Sequence, residues 1–178
     1  DHIADIGVLK HAFYVENLLQ GTEKLVDLYT HREQPFHGFD FTDDYIRVHY
    51  YRPEEVLKVG PFFLRFIKTK HSVPCYGMRI TDGGSTVVYT ADSAYQDEWI
   101  KFSKDADLLL ADTNFYADQD GQEAGHMTSR EVGKIASEAK VKELILTHLP
   151  HYGDHQQLVE EAGQQYSGKI QLAKAGLT

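Results

Sequence analysis

The sequence contains one cysteine, Cys75, and no long apolar run. A single cysteine excludes a disulfide bond within the chain and is typical of proteins from a reducing compartment, so we expect a cytoplasmic protein. No stretch approaches the roughly 18 uncharged apolar residues that a membrane-spanning helix needs, so we expect no membrane partner.

Basic residues are also scarce. The 178 residues include 18 Lys and Arg against 27 Asp and Glu, which gives a net charge of −9. Tight nonspecific binding of nucleic acid depends on Lys and Arg contacts to phosphates, so this class of function is disfavoured. A small phosphate ester held by a metal ion is still compatible with the charge. The hydrophobic content of 42% is ordinary for a globular protein.

The apolar spacing predicts a layered α/β domain, which we treat as a single domain over residues 1–178. Helices are predicted over about 3–19, 96–104, from a capping box at Thr128–Glu131 onward, and from Asp154 to about Tyr166. Strands are predicted over 24–29, 45–51, 62–68, 76–80, 86–89, 107–111, 143–147 and 169–172. Residues 31–44 are predicted to be a loop.

Histidines and aspartates at predicted strand ends and turns are the candidates for chemistry. They are Asp1, His2, His71, Asp92, His126 and His148. A rigid sheet can direct side chains from several strand ends toward one point, and imidazole and carboxylate are the ligands of catalytic zinc sites. Any one such residue is more often a hydrogen-bonding residue, but together they predict a metal-dependent hydrolase.

These segments resemble the metallo-β-lactamase superfamily, and most closely its phosphodiesterase branch, which includes the tRNA 3′-end endonucleases (ribonuclease Z). The first metal motif of the family, His-x-His-x-Asp-His before a helix, is matched at its end by Asp1-His2. The next family histidine resembles His71, and the bridging aspartate resembles Asp92. The late His-x-Thr motif resembles His126-Met127-Thr128, and the last metal histidine resembles His148. The resemblance covers essentially the whole chain and implies an αββα sandwich.

The resemblance also implies a dinuclear site. One metal would be held by Asp1, His2, His148 and the shared Asp92. The other would be held by His71, Asp92 and the two histidines of the His-x-His motif, which this sequence lacks. The implied metals are two zinc ions in the complete protein, with Mn or Fe as alternatives. Because the sequence starts inside the motif, we expect a preceding segment that supplies these histidines and the first strands.

The roles that the resemblance implies are those of a phosphodiesterase acting through a metal-bound hydroxide. Metal ions lower the pKa of bound water to about 7. Asp1 would orient the hydroxide or take its proton, and His126 would stabilise the transition state or protonate the leaving oxygen. The helix start at Thr128 would favour an anionic group. The alternative for His126 is a loop residue packed on that helix. Apart from the resemblance, Asp112 follows an apolar strand, a position from which it could approach the site, and hydrogen bonding is the more common role of such a residue.

The interval between His71 and Asp92 bears on the substrate. In ribonuclease Z a long tRNA-gripping arm is inserted there, whereas here residues 72–91 have room for only one hairpin. Together with the acidic charge, this makes a tRNA substrate unexpected and favours a small or cyclic phosphodiester or a similar anionic substrate. The resemblance also implies a possible homodimer.

Three other hypotheses are consistent with the sequence. The same site could hydrolyse a thioester, a lactone or another carbonyl compound, although the His-x-Thr motif favours the phosphodiester. The chain could instead be a non-catalytic metal-binding domain, which predicts at most one tightly bound metal and no turnover. A structural α/β domain without metal predicts that His148→Ala changes neither metal content nor activity.

Overall fold

A computed structural model describes residues 3–33 and 44–176, which form two compact units, one ending at Arg52 and the other beginning at Pro53. Most of the predicted loop over 31–44 lies outside the described residues. The hypotheses of a single domain over 1–178 and of a missing preceding segment stay predictions.

The first unit consists of α1 (Ile6–Gln20) and two parallel strands, β1 (Val26–Thr30) and β2 (Ile46–Tyr50). The helix α1 ends at Gly21, which has the left-handed backbone (φ 61°) that glycine adopts without a steric cost. In the last turn of α1, the buried Asn17 side chain donates to the Lys24 carbonyl at 2.9 Å and accepts from the Lys24 amide at 3.0 Å. These bonds fix the turn from α1 into β1.

The second unit is built on a seven-stranded sheet with the order β3-β4-β5-β6-β7-β8-β9. Its elements, in chain order, are β3 (Leu57–Val59), β4 (Phe62–Lys68), β5 (Tyr76–Thr81), β6 (Thr86–Tyr89), α2 (Glu98–Phe102), β7 (Leu108–Asp112), α3 (Ser129–Glu138), β8 (Glu143–Thr147), α4 (His155–Gly163) and β9 (Lys169–Leu172). The predicted elements are confirmed, with boundaries that shift by less than one helical turn. Strand β3 was not predicted, because three residues are too few to show an alternating pattern.

Pairing within this sheet changes from antiparallel to parallel. Strands β3 to β6 form three antiparallel pairs, joined at Gly60-Pro61, by residues 69–75 and by a turn over residues 82–85. Strands β6 to β9 are parallel. Parallel neighbours need crossover connections, and these are made by the segments that contain α2, α3 and α4. The expected α/β architecture is therefore present.

The core of the second unit lies between this sheet and its helices. Leu109 and Leu144 are paired in register on β7 and β8, and both are fully buried. They belong to one cluster with Val132 and Ile135, which lie on the apolar face of α3. The parallel strands are thereby held rigid up to their carboxyl ends. No helix in the described part of the chain is long and apolar enough to cross a membrane.

Helix α3 approaches α4 closely at Gly133. A Cβ atom there would lie 2.5 Å from the Ala162 carbonyl oxygen, whereas one at Gly163 would come no closer than 3.9 Å to Ile170. We predict that Gly133→Ala lowers the free energy of unfolding by about 1–3 kcal/mol, because the two backbones must separate. The matched control Gly163→Ala should be neutral or stabilising by up to about 1 kcal/mol. Thermal and urea unfolding would measure both, and equal stability of the two variants would contradict the close packing.

Candidate metal centre

The candidate site lies at the carboxyl ends of three neighbouring parallel strands. Asp92 follows β6, Asp112 is the last residue of β7, and His148 follows β8 directly. The backbone turns sharply at two of these strand ends, since Ala91 and His148 have φ values of 52° and 51°. Such angles are uncommon for residues other than glycine. The parallel topology thus brings residues that are far apart in sequence to one edge.

Four of the predicted site residues converge there. Each of Asp92, His126 and His148 offers one ligand atom, and these atoms lie within 4.8 Å of one another. The Asp92 Oδ2 atom is 3.9 Å from Nε2 of His148 and also 3.9 Å from Nε2 of His71. Two atoms bound to one zinc ion at about 2.0–2.2 Å must lie within about 4.4 Å of each other. Asp92 is therefore placed where it could serve a metal on either side.

The donor set fits a metal ion of the zinc class. It consists of imidazole nitrogens and a carboxylate oxygen, a combination that suits zinc and neighbouring transition metals better than calcium or magnesium. His71 and Asp92 are largely buried, with 7% and 19% of their side chains exposed, while His148 is more open at 42%. Asp1 and His2, the other two predicted ligands, lie outside the described residues, so their participation stays a prediction.

The buried carboxylate of Asp112 orients two of the histidines. Its Oδ2 atom is 2.7 Å from Nδ1 of His126, and its Oδ1 atom is 3.3 Å from Nδ1 of His148. The Ser93 amide also donates to Oδ2, at 3.0 Å, and the Asp112 side chain is only 1% exposed. With each Nδ1–H donated to the carboxylate, each Nε2 is left as the atom that can bind a metal or carry a proton.

His71 is oriented by a backbone carbonyl instead. Its Nδ1 atom lies 3.1 Å from the Gly125 oxygen, so that its Nε2 faces Asp92. Gly125 has a φ of 80°, and a Cβ atom there would lie 2.7 Å from Nδ1 of His71. The site therefore requires glycine at position 125. The sequence analysis missed this residue, although a glycine directly before a candidate histidine was a signal that could have been followed.

The loop that carries His126 is anchored at both ends. The Thr128 capping box is present as predicted: the Glu131 amide donates to the Thr128 hydroxyl, and the Glu131 carboxylate accepts from the Thr128 amide. Before the loop turns, the Ala117 amide donates to Glu161 of α4 at 2.8 Å. The hydrogen bond between Nδ1 of His126 and the Asp112 carboxylate fixes the position of the His126 ring.

The start of α3 is less suited to an anion than the sequence suggested. The amides of Thr128, Ser129 and Glu131 are bonded to the Glu131 carboxylate, the Phe115 carbonyl and the Thr128 hydroxyl, respectively. The Glu131 carboxylate also places a negative charge at this helix end. We therefore do not assign substrate binding to these amides.

The electrostatics of the site follow from its carboxylates. The hydrogen bond from His148 to Asp112 raises the pKa of His148 above its ordinary value of 6.5, against the opposing effect of partial burial. The charges of Asp112 and Asp92 act in the same upward direction. Because a metal binds the neutral imidazole, protons compete with metal at His148 at higher pH than for a free histidine.

Comparison with known proteins places this geometry in a family. Residues 1–149 match the family model of the beta-lactamase superfamily domain. Over 178 residues the chain is 51% identical to the probable metallo-hydrolase YhfI of Bacillus subtilis, covering 99% of this chain and 72% of that protein. The chain belongs to the metallo-β-lactamase superfamily. The expected resemblance to this superfamily is thereby confirmed.

Solved structures agree with this assignment. The crystal structure of the metallo-β-lactamase fold protein YhfI from B. subtilis matches with a TM-score of 0.94 at 49% identity, over 99% of this chain and 72% of that one. A diphosphatase from the PhnP family shares the fold, with a TM-score of 0.69 at 22% identity, over 95% of this chain and 64% of that one.

The superfamily match extends to ribonuclease Z. The chain is 34% identical over 99 residues to ribonuclease Z of Myxococcus xanthus, which is 53% of this chain and 32% of that protein. The chain spans about half the length of the uncharacterised mycobacterial proteins that it matches.

Removal of the Asp112 charge should weaken metal binding. We predict that Asp112→Asn lowers metal affinity by about 10- to 100-fold, because His126 and His148 lose the carboxylate that orients them. The matched control is Asp107→Asn, directly before the same strand, whose carboxylate pairs with the surface residue Lys142 at 2.6 Å. Competition with a chromogenic chelator would measure both affinities. Equal affinities for the two variants would contradict the orienting role of Asp112.

The raised pKa of His148 predicts a pH dependence of metal affinity. Protonation of His148 excludes the metal, so affinity should fall as pH decreases through the raised pKa of His148. The fall should begin at higher pH than an ordinary histidine would give. In Asp112→Asn it should move to lower pH, because the bond that raises the pKa is weakened. Chelator competition measured as a function of pH would test it, and an unchanged profile in the variant would contradict it.

Proposed function

We propose that this protein is a zinc-dependent hydrolase that cleaves a small phosphodiester. The observation that carries the proposal is the position of His126, fixed by Asp112 at 2.7 Å and facing the Asp92 and His148 ligand atoms. A site with metal ligands and an adjacent imidazole that a buried carboxylate orients has the parts needed for hydrolysis with an anionic leaving group. The metallo-hydrolase family assignment supports the same class of reaction.

The metal ligands are part of this proposal. We assign His148, Asp92, Asp1 and His2 to one ion, and His71 with Asp92 to a second ion. The separation of 3.9 Å from Asp92 Oδ2 to both His71 and His148 supports a shared carboxylate. Zinc, when bound, would supply a nucleophile at neutral pH and stabilise charge on the phosphoryl oxygens.

His126 is the proposed proton donor. Its Nδ1–H is held by the buried Asp112 carboxylate, which leaves Nε2 as the atom that would carry the transferred proton. The proton on Nε2 can then pass to the oxygen of the departing alcohol as the phosphorus–oxygen bond breaks. Asp1 is proposed to orient the attacking water and accept its proton. Since the ligand atoms of His126, Asp92 and His148 lie so close, the alternative role for His126 is that of a metal ligand.

The substrate class follows from what surrounds the site. The interval between His71 and Asp92 holds only the β5–β6 hairpin, as the sequence predicted, and no long insertion. With the net charge of −9, this favours a small or cyclic phosphodiester over tRNA. About half of this chain matches ribonuclease Z, whose name describes cleavage of RNA, a phosphodiester. A cytoplasmic location and a homodimer are further parts of the proposal.

Substrate preference tests the proposal directly. The metal-loaded protein should hydrolyse bis(4-nitrophenyl) phosphate and should lose this activity when the metal is removed by a chelator. It should be inactive on a nitrophenyl thioester and on a lactone. Turnover of the carbonyl substrates alone would favour the other hydrolase hypothesis, and metal binding without any turnover would favour a non-catalytic domain.

The two proposed roles of His126 predict different properties for the His126→Ala variant. As a proton donor, His126→Ala should reduce kcat by about 10²- to 10⁴-fold while leaving the metal content unchanged. As a ligand, His126→Ala should lose metal in the way that His148→Ala does. Elemental mass spectrometry and steady-state kinetics on the same samples separate the outcomes. A substrate with a 4-nitrophenolate leaving group should be affected least by His126→Ala, since that group departs without a proton.

A further inference from the structure

A groove in the second unit carries an excess of positive charge. It has a volume of about 660 Å³ and lies between strands β4 and β5 and helix α2. Its lining residues are Arg65, Arg79, Lys101, Lys104, Glu98 and Asp105, together with the apolar Phe66, Ile67 and Phe102. Four cations against two carboxylates give a local excess of two positive charges in a protein whose net charge is −9. Its volume lies within the range of about 300–1,000 Å³ found for small-molecule sites.

Two arginines lie opposite each other on the neighbouring strands that form one wall of this groove. Arg65 on β4 and Arg79 on β5 are paired directly in the antiparallel register. Like charges opposite each other on adjacent strands destabilise a sheet. Within residues 3–33 and 44–176, neither arginine forms an ion pair. A bound anion would reduce the repulsion between the two guanidinium groups. The arginine pair by itself destabilises the sheet, and an anion bound to both side chains would offset that cost.

One of the guanidinium groups is already fixed in place. Nη1 of Arg79 donates to the Phe102 carbonyl at 3.0 Å, which ties the β5 side of the groove to the end of α2. The Phe102 ring packs edge-on against the fully buried Trp99, with ring centroids 5.9 Å apart, so this apolar wall is also rigid. A preorganised cation beside a fixed aromatic ring loses little conformational entropy when a ligand binds.

From these observations we infer that the groove binds a small phosphate monoester with an apolar or aromatic body. The phosphoryl group would lie on Arg65 and Arg79, since guanidinium groups bind phosphate oxygens in pairs. The apolar body would lie against Phe102 and Ile67, and Lys101 and Lys104 would border the phosphoryl end. This site is separate from the metal centre, because none of the groove's lining residues is a candidate metal ligand.

Calorimetric titration with phenyl phosphate tests the inference. Metal-loaded protein should show two binding events, one at each site, and protein kept in a chelator should retain only the groove event. Inorganic phosphate should bind the groove more weakly than phenyl phosphate, and phenol should not bind detectably. If the metal centre is not built as proposed, a single event should appear with and without chelator, so the two proposals fail separately.

Variants with matched changes in charge test whether the chelator-resistant binding event takes place in the groove. Arg65→Gln/Arg79→Gln should weaken the chelator-resistant event by at least about tenfold, because two charged hydrogen-bond donors are lost. The control Lys142→Gln/Lys169→Gln removes the same charge from two surface lysines paired with Asp107 and Glu143. Arg65→Gln alone, at an exposed position, guards against a folding defect and should weaken binding in the same direction.

Two results would overturn the inference. One is the lack of any binding event for phenyl phosphate in the chelator-treated wild-type protein. The other is equal affinity of the arginine and lysine variants, which would mean that the event reflects net charge rather than this groove.

Discussion

The buried carboxylate of Asp112 is the constraint on which the candidate site depends. A carboxylate without exposure to water is costly unless hydrogen bonds satisfy it, and here the donors are the Ser93 amide and the Nδ1 atoms of His126 and His148. These bonds fix both rings with Nε2 toward Asp92. The interaction that satisfies the buried charge therefore also sets the geometry of the candidate metal centre.

The sheet makes this arrangement possible because its parallel strands end at one edge. Strand β7 is buried between β6 and β8, and its apolar residues alternate toward the core until Asp112 ends the strand. The rigidity of the core reaches the site through this residue. The loop with His126 is then closed by the Thr128 capping box and by the close approach of Gly125 to His71. Fold stability and site geometry are thus carried by the same contacts.

The protein is acidic overall, so a local excess of positive charge is unusual on its surface. Arg65 and Arg79 lie opposite each other, where the sheet alone would favour a charge pair of opposite sign. At the candidate metal centre the sign is reversed, because Asp92 offers a carboxylate oxygen 3.9 Å from both His71 and His148.

The sequence by itself determined the elements and the residue types of the site. The Thr128 capping box and the strand lengths depend on residues that are close in sequence, so they could be predicted, and the site histidines and aspartates could be matched to a family motif. Tertiary structure decided the rest, since the distances among His71, Asp92, His126 and His148 depend on strand order and on loop closure. The same holds for Gly125 beside His71 and for Arg65 opposite Arg79, because strand register and loop packing are set by contacts between distant parts of the chain.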